Sequence, residues 1–186
     1  LARRCRAAGK PFFLDVSIAH PLAKEAIYAQ LRQQYPAWQE ELKPKAPRNI
    51  EVELEEINQA QHLVVASEFT KSTYLQQGVA AAKISVNAYG TDLQYFKSKW
   101  ERPAPTGAEF RKGVTFLFFG ALSARKGFPW LCAVWKKFHQ RYPHCRLKAA
   151  GYNLIPAGFS IPDGVEVLGP VHPADRAALF AGSDVF

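Results

Sequence analysis

Short apolar runs with strand character alternate with amphipathic helical segments along this chain, and this alternation constrains its fold more than any other feature. The run at 114–119 (VTFLFF) is continuous and apolar, as is typical of a strand buried in a parallel sheet. Residues 62–66 (HLVVA) form a second compact strand pattern. Segments 22–35 and 128–142 instead repeat apolar residues at the spacing of one helix face. We therefore expect an α/β fold with two units, each built on a parallel sheet.

A stretch rich in charge, Pro and Gly at 97–112 is predicted to be a linker. It divides the chain into residues 1–96 and residues 113–186. Ser67 is expected to cap a helix, and Asp184 to Phe186 resemble the opening of a further buried strand. The predicted strands are 11–19, 62–66, 83–87, 114–119, 146–150 and 165–168, and the predicted helices are 22–35, 50–60, 68–77, 128–142 and 174–181.

The composition limits the classes of function. Hydrophobic residues make up 48% and charged residues 22% of the chain, which indicates a globular protein and not a disordered one. The net charge of +8 suits an anionic partner: phosphate groups, nucleic acid or an acidic membrane surface. No helix-turn-helix, zinc-finger or aromatic RNA-binding motif is seen, so no nucleic-acid partner is expected. The three widely spaced cysteines fit reduced thiols in a cytosolic protein.

Residues Gly120 to Gly127 (GALSARKG) lie between a predicted strand and a predicted helix, where open α/β sheets bind ligands. Glycine lets the backbone approach a ligand closely, and the positive end of the following helix favours an anion. Arg125 offers a fork of donors and Lys126 a point charge, and both suit phosphate oxygens. The loop is therefore predicted to bind a diphosphate. A solvated turn that is merely basic is the alternative that the pattern leaves open.

Three segments resemble the group 1 glycosyltransferase family, whose members are retaining enzymes of the GT-B fold. They are LVVASEFTKSTYLQQGVAAAKISVNAYGTDLQYF (63–96), FLFFGALSARKGFPWLCAVWKKF (116–138) and VEVLGPVHPADRAALFAGSDVF (165–186). The resemblance implies a GT-B-like fold. Residues 1–96 would then be the C-terminal part of the acceptor-side Rossmann-like domain, and residues 113–186 the first half of the domain that binds the nucleotide-sugar donor.

The donor loop of that family commonly reads G-R-L-x-x-x-K-G. This chain has Ala121 where the Arg usually stands, and it keeps Gly120, Leu122, Lys126 and Gly127. Arg125, beside Lys126, could supply the missing charge. The resemblance implies that the diphosphate-binding residues are Gly120, Ser123, Arg125, Lys126 and Gly127. It also implies that backbone groups near Val171 meet the nucleobase. Gly151 and Gly169, which follow the next two predicted strands, are further candidates for binding the nucleotide.

His20 follows the predicted strand 11–19, at the edge where a cleft would lie. The family has a His at a similar strand end, facing the transferred sugar, so His20 is the candidate catalytic residue. A structural histidine that is hydrogen-bonded near a turn is the alternative. Gly90 and Asp92 resemble the family's stretch between domains and would form a hinge, with Gly90 free to adopt positive φ and Asp92 able to cap a following turn. Among the aromatic residues, most of which we interpret as core, only Trp130 is left open for contact with sugar.

The ends of the chain lead to an expectation about completeness. The sequence contains no Met, so we expect that residue 1 is not the native N-terminus. The family carries two glutamates spaced E-x7-E just beyond the strand that Val185 and Phe186 would begin. We therefore expect a fragment truncated at both ends, with an incomplete donor site and no activity by itself.

The leading functional hypothesis is transfer of a sugar from a nucleotide diphosphate sugar to an unknown saccharide, lipid or small-molecule acceptor, with retention and without a required metal or other cofactor. A catalytically inactive homologue that binds nucleotide sugars is the alternative. An NAD-dependent oxidoreductase would need a G-x-G-x-x-G run after a strand, and the sequence has none. We expect a cytoplasmic protein, and peripheral contact with the anionic inner face of a membrane is left open.

Overall fold

The computed structural model describes residues 2–94 and 113–186. The described residues form two compact units. The first contains those within Leu1–Gln30 and Lys43–Thr91, and the second contains those within Leu31–Leu42 and Asp92–Phe186. The predicted linker at 97–112 lies outside the described residues. In the described part of the chain, no helix is long and apolar enough to cross a membrane.

The first unit is built on a parallel sheet with strand order β1-β2-β3. Strands β1 and β2 pair in register, from Phe13 opposite His62 to Val16 opposite Val65. The elements of this unit are α1 (Ala2–Ala7), β1 (Phe13–Val16), α2 (Pro21–Gln34), α3 (Pro47–Gln59), β2 (His62–Val65), α4 (Glu68–Leu75) and β3 (Ile84–Val86), and residues 31–34 of α2 group with the second unit.

Local sequence explains how this unit forms. The predicted cap is confirmed, because the Ser67 hydroxyl accepts a hydrogen bond from the Thr70 amide at 3.0 Å. Gly78 after α4 has φ of 84°, as expected of a glycine that ends a helix. Leu63 and Val65 of β2 are fully buried in the core. The sequence analysis missed α1, whose Arg3 forms a two-pronged ion pair with Glu55 of α3.

The second unit contains another parallel sheet, with strand order β4-β5-β6. The prediction that Asp184 to Phe186 open a strand is confirmed in its pairing, since Val185 forms a parallel bridge with Phe116. Burial is not as predicted, because Phe186 is largely exposed. The elements are β4 (Thr115–Phe119), α5 (Phe128–Arg141), β5 (Arg146–Ala150), β6 (Val165–Gly169) and α6 (Arg176–Ala181).

Aromatic side chains fill the core between β4 and α5. The Phe116 ring meets the rings of Trp135 and Phe138 edge-on, with centroids 5.5 and 5.4 Å away. This confirms that these residues are core. The inner face of α5 is centred on Phe128, Cys132 and Trp135, while Val134 lies on the exposed side of the helix.

Residues 31–42 belong to the second unit although they precede most of it in sequence. A 3-10 turn at Pro36–Trp38 presents Trp38, which is only 2% exposed. Its ring lies 6.5 Å from the Phe128 ring and 5.2 Å from the Phe159 ring, both at edge-on angles. Leu42 is fully buried. No pattern in the sequence predicts this anchored segment.

Candidate functional site

Three of the predicted site glycines lie together at the carboxyl edge of the second sheet. The Gly120 amide donates to the Ala150 carbonyl, and the Gly151 amide donates to the Gly169 carbonyl, each at 2.8 Å. A β-carbon at position 151 would lie 1.9 Å from the Gly120 carbonyl oxygen. Gly120, Gly151 and Gly169 all have positive φ. The strand ends are therefore in direct backbone contact, which only glycine permits at 151.

The basic loop after β4 has a fixed internal structure. Residues Ala124–Lys126 form a 3-10 turn, and Gly127 follows in the left-handed conformation, with φ of 79°. The Ser123 hydroxyl is fully buried and accepts from the Lys126 amide at 3.2 Å. This hydroxyl thus caps the turn from within, and the predicted contact between Ser123 and a diphosphate stays a prediction.

The start of α5 offers fewer backbone donors than the sequence analysis assumed. The Phe128 amide donates to the Ser123 carbonyl at 3.0 Å, and Pro129 has no amide proton. The Leu131 amide donates to the Gly127 carbonyl. The helix dipole still points its positive end toward the loop, but two of the first donors are occupied or absent. The attraction for an anion at this loop therefore comes mainly from side chains.

A carboxylate that the sequence analysis did not consider lies at the start of the turn. Glu41 Oε2 accepts from the Ala124 amide at 2.8 Å, and Glu41 Oε1 accepts from the Arg125 amide at 3.4 Å. Glu41 belongs to the anchored segment 31–42 of the same unit. No spacing rule links it to the loop. The one sequence signal is Trp38: a large apolar residue in a polar, Pro-rich stretch indicates that the segment packs against a hydrophobic core.

The side chains of Arg125 and Lys126 are exposed. Within residues 2–94 and 113–186, neither side chain has a hydrogen-bond or ion-pair partner. Both cations therefore belong to the loop that leaves the sheet at Gly120. Such an arrangement can attract phosphate oxygens through the fork of Arg and the point charge of Lys.

His20 is buried in the first unit, with 4% of its surface exposed. Its amide donates to the Thr73 hydroxyl at 3.0 Å, its Nδ1 accepts from the Leu22 amide at 3.3 Å, and its ring meets Tyr74 edge-on. Burial lowers the pKa of the imidazole below its usual 6.5. A neutral ring with Nδ1 as acceptor carries its proton on Nε2. The alternative of a locally bonded structural histidine fits this geometry, and the catalytic role stays a prediction.

Of the two predicted hinge residues, Asp92 has the expected local structure and Gly90 does not. Asp92 Oδ1 accepts from the Gln94 amide at 3.0 Å, which confirms that it caps a turn. Gly90 does not have positive φ, so the expected use of glycine for a left-handed backbone at that position is wrong. The hinge itself stays a prediction. Val171 is half-buried just after β6, and Trp130 is 59% exposed at the start of α5.

In the described parts, residues 2–94 and 113–186, no group of three or more His, Cys, Asp and Glu side chains could hold a metal ion. The cysteines in these parts are free thiols, and burial raises the pKa of Cys132 to about 11. A thiol of this kind is protonated and a poor nucleophile.

No protein-family model matches the sequence, and no curated protein matches it. In structure, the chain is similar to the Anabaena protein Alr3699/HepE, whose crystal structure contains UDP and glucose. The two chains are 17% identical, with a TM-score of 0.58. The match covers 98% of this chain and 47% of that one, so the chain spans about half the length of that protein. The chain has a GT-B-like α/β fold, with parts of two Rossmann-like domains and parallel sheets, as predicted.

Gly151→Ala is expected to lower the free energy of unfolding by about 2–4 kcal/mol, because the new methyl group would overlap the Gly120 carbonyl in a backbone conformation that already disfavours alanine. Chemical denaturation measures the loss. Gly158→Ala is the matched control, since Gly158 also has positive φ but a β-carbon added there would have no atom within 4 Å. The control should cost only about 1–2 kcal/mol, and equal losses would contradict the close approach.

His20 is expected to make the first unit less stable as the pH falls. Its pKa is lowered in the folded state, so below about pH 6.5 the unfolded chain binds more protons and the free energy of unfolding decreases, by at most about 1.4 kcal/mol per pH unit. His20→Asn keeps a side-chain acceptor for the Leu22 amide but cannot titrate. Denaturation between about pH 5 and pH 7.5 should show a shallower pH slope in this variant. Because the other histidines are present in both proteins, identical slopes would contradict the assignment.

Proposed function

We propose that this chain is the part of a glycosyltransferase that receives a nucleotide diphosphate sugar, with the donor's diphosphate at the carboxyl edge of the second sheet. The observation that carries the proposal is the pair of exposed cations, Arg125 and Lys126, which have no partner among residues 2–94 and 113–186 and lie in the loop that leaves the contacting glycines 120 and 151. The fold likeness to a protein whose crystal structure contains UDP and glucose supports it. Gly169 and Val171, at the end of β6, would be near the nucleotide.

The proposed chemistry is electrostatic. As the bond between sugar and phosphate breaks, the leaving diphosphate gains negative charge, and fixed cations stabilise that charge in the transition state. Lys126 and Arg125 would supply these cations. The loop is prefolded by Ser123 and Gly127, so little reorganisation would accompany the reaction. Membership of the group 1 family, retention of configuration and independence of a metal or other cofactor rest on the sequence resemblance and are part of the proposal.

His20 is proposed as the group that faces the transferred sugar. With Nδ1 engaged by the Leu22 amide, Nε2–H would be the ring atom available to donate a hydrogen bond to a sugar hydroxyl. A neutral imidazole suits this role, because burying a charged one would be unfavourable. Gly90 and Asp92 are proposed as the hinge of a closing motion.

The second candidate is a homologue that binds nucleotide sugars but does not transfer them. Ala121 favours it, because the resemblance expects an Arg there. The loop then has one cation fewer unless Arg125 replaces it. Turnover with any donor distinguishes the two candidates.

The acceptor is proposed to be a saccharide, a lipid or another small molecule, and the location to be cytoplasmic. Peripheral contact with an anionic membrane is proposed from the basic start of the chain. Arg3 of that segment is already paired with Glu55, so Arg4, Arg6 and Lys10 would supply the contact. No nucleic-acid partner is proposed.

Lys126→Ala, made in the natural polypeptide that carries this sequence, should remove a charge-assisted contact worth about 1.5–3 kcal/mol. Because the contact strengthens as the leaving group gains charge, the loss should appear mainly in kcat. Steady-state kinetics with a panel of nucleotide sugars measures it. Lys137→Ala, which removes an exposed lysine further along α5, should leave kinetics unchanged. Wild-type kinetics in Lys126→Ala would refute the diphosphate assignment.

The role of Arg125 is tested by removing its charge and placing an Arg at position 121 instead. Arg125→Ala should cost about as much as Lys126→Ala only if Arg125 replaces the Arg that is absent at 121. Ala121→Arg should then restore at least part of the kcat that Arg125→Ala loses. A failed rescue would refute this replacement and leave the role of Lys126 intact.

A further inference from the structure

Glu41 is a negatively charged residue at a loop that is otherwise arranged for an anionic ligand. Its two carboxylate oxygens accept from the amides of Ala124 and Arg125, the first two donors of the 3-10 turn. The third donor, the Lys126 amide, is bound by Ser123. Together, Glu41 and Ser123 satisfy every amide of the turn that carries the two exposed cations.

The carboxylate is held in place by the packing of its own segment. Trp38 is buried against Phe128 and Phe159. The Glu41 amide donates to the Trp38 carbonyl at 3.2 Å, and the Leu42 amide donates to the Gln39 carbonyl at 3.1 Å. These consecutive turns fix the Glu41 backbone directly after the anchoring tryptophan. The Glu41 side chain therefore projects from a backbone that is held in place by hydrogen bonds and by the packing of Trp38.

The charge of Glu41 allows two opposite effects on a bound diphosphate. As a like charge near the site, it would weaken binding, and its removal would tighten binding. As a clamp, it would hold the backbone of the turn that carries Arg125 and Lys126, and its removal would weaken binding of the diphosphate. The geometry favours the clamp, because the carboxylate accepts from two backbone donors with partial positive charge. It forms no ion pair with Arg125 or Lys126, whose side chains have no partner in the described part of the chain.

We propose that Glu41 is a positioning residue for the donor site: it clamps the Ala124–Lys126 turn through two backbone amides, so that the backbone which carries Arg125 and Lys126 is already ordered before the diphosphate binds. This inference rests on the proposed function. It assigns a role in the second unit to a residue from the N-terminal part of the sequence. The effect is transmitted by the backbone and needs no contact between Glu41 and the ligand.

The test uses the affinity for UDP, measured by calorimetry in the natural polypeptide that carries this sequence. Glu41→Ala should weaken UDP binding about tenfold, since it removes hydrogen bonds to a charged acceptor. Glu41→Gln keeps one side-chain carbonyl oxygen and should lie between Glu41→Ala and wild type. Glu40→Gln is the matched control: Glu40 is the exposed neighbour, and its carboxylate makes neither of these two amide contacts. It should bind UDP as wild type does.

Amide hydrogen exchange supplies a readout that does not depend on UDP. In Glu41→Ala, the amides of Ala124 and Arg125 should exchange faster, while the Gly120 amide, which is held by Ala150, should not change. Unaltered or tighter UDP binding in Glu41→Ala would overturn the positioning role alone. Absence of UDP binding in the wild-type protein would overturn the proposed function and this role with it.

Discussion

The contact between the ends of β4 and β5 is the constraint on which the candidate site depends. The two strands pair in register from Thr115–Arg146 to Phe119–Ala150, and the missing side chain at Gly151 lets them stay together one residue further, against the Gly120 carbonyl. The Gly169 carbonyl joins the same edge. The basic loop therefore leaves the sheet from a fixed point, at the edge where open α/β sheets bind ligands.

The other end of the loop is fixed by side chains. Ser123 and Glu41 occupy the amides of the turn, and Phe128 and Pro129 leave few free donors at the start of α5. Backbone donors are thus used to hold the loop, and the charge that remains for a ligand is carried by Arg125 and Lys126. Mechanistically, this divides the site into a rigid frame and two exposed charges. The preorganisation of the frame is what would make those charges effective in a transition state.

The sequence predicted the parallel sheets well because a short, continuous apolar run such as 114–119 is typical of a strand that is buried on both faces of a parallel sheet. Caps were equally local: Ser67 and Asp92 bond backbone amides two or three residues away. Features that depend on distant partners were missed. The packing of Trp38 on Phe128 and the contact of Glu41 with Ala124 span more than eighty residues, and no periodicity encodes them. Similarly, glycine's conformational freedom suggested positive φ at Gly90, and the backbone there does not adopt it.

The central claim is that a nucleoside diphosphate binds at the carboxyl edge of the second sheet. Titration of the isotope-labelled protein with UDP, followed by amide chemical shifts, tests this claim most directly, because it reports where the ligand lies whether or not the protein turns it over. The account predicts that the largest shifts occur at Gly120, Lys126, Gly151 and Val171. Shifts confined to β1 and β2 of the first unit, or no shifts at all, would contradict it.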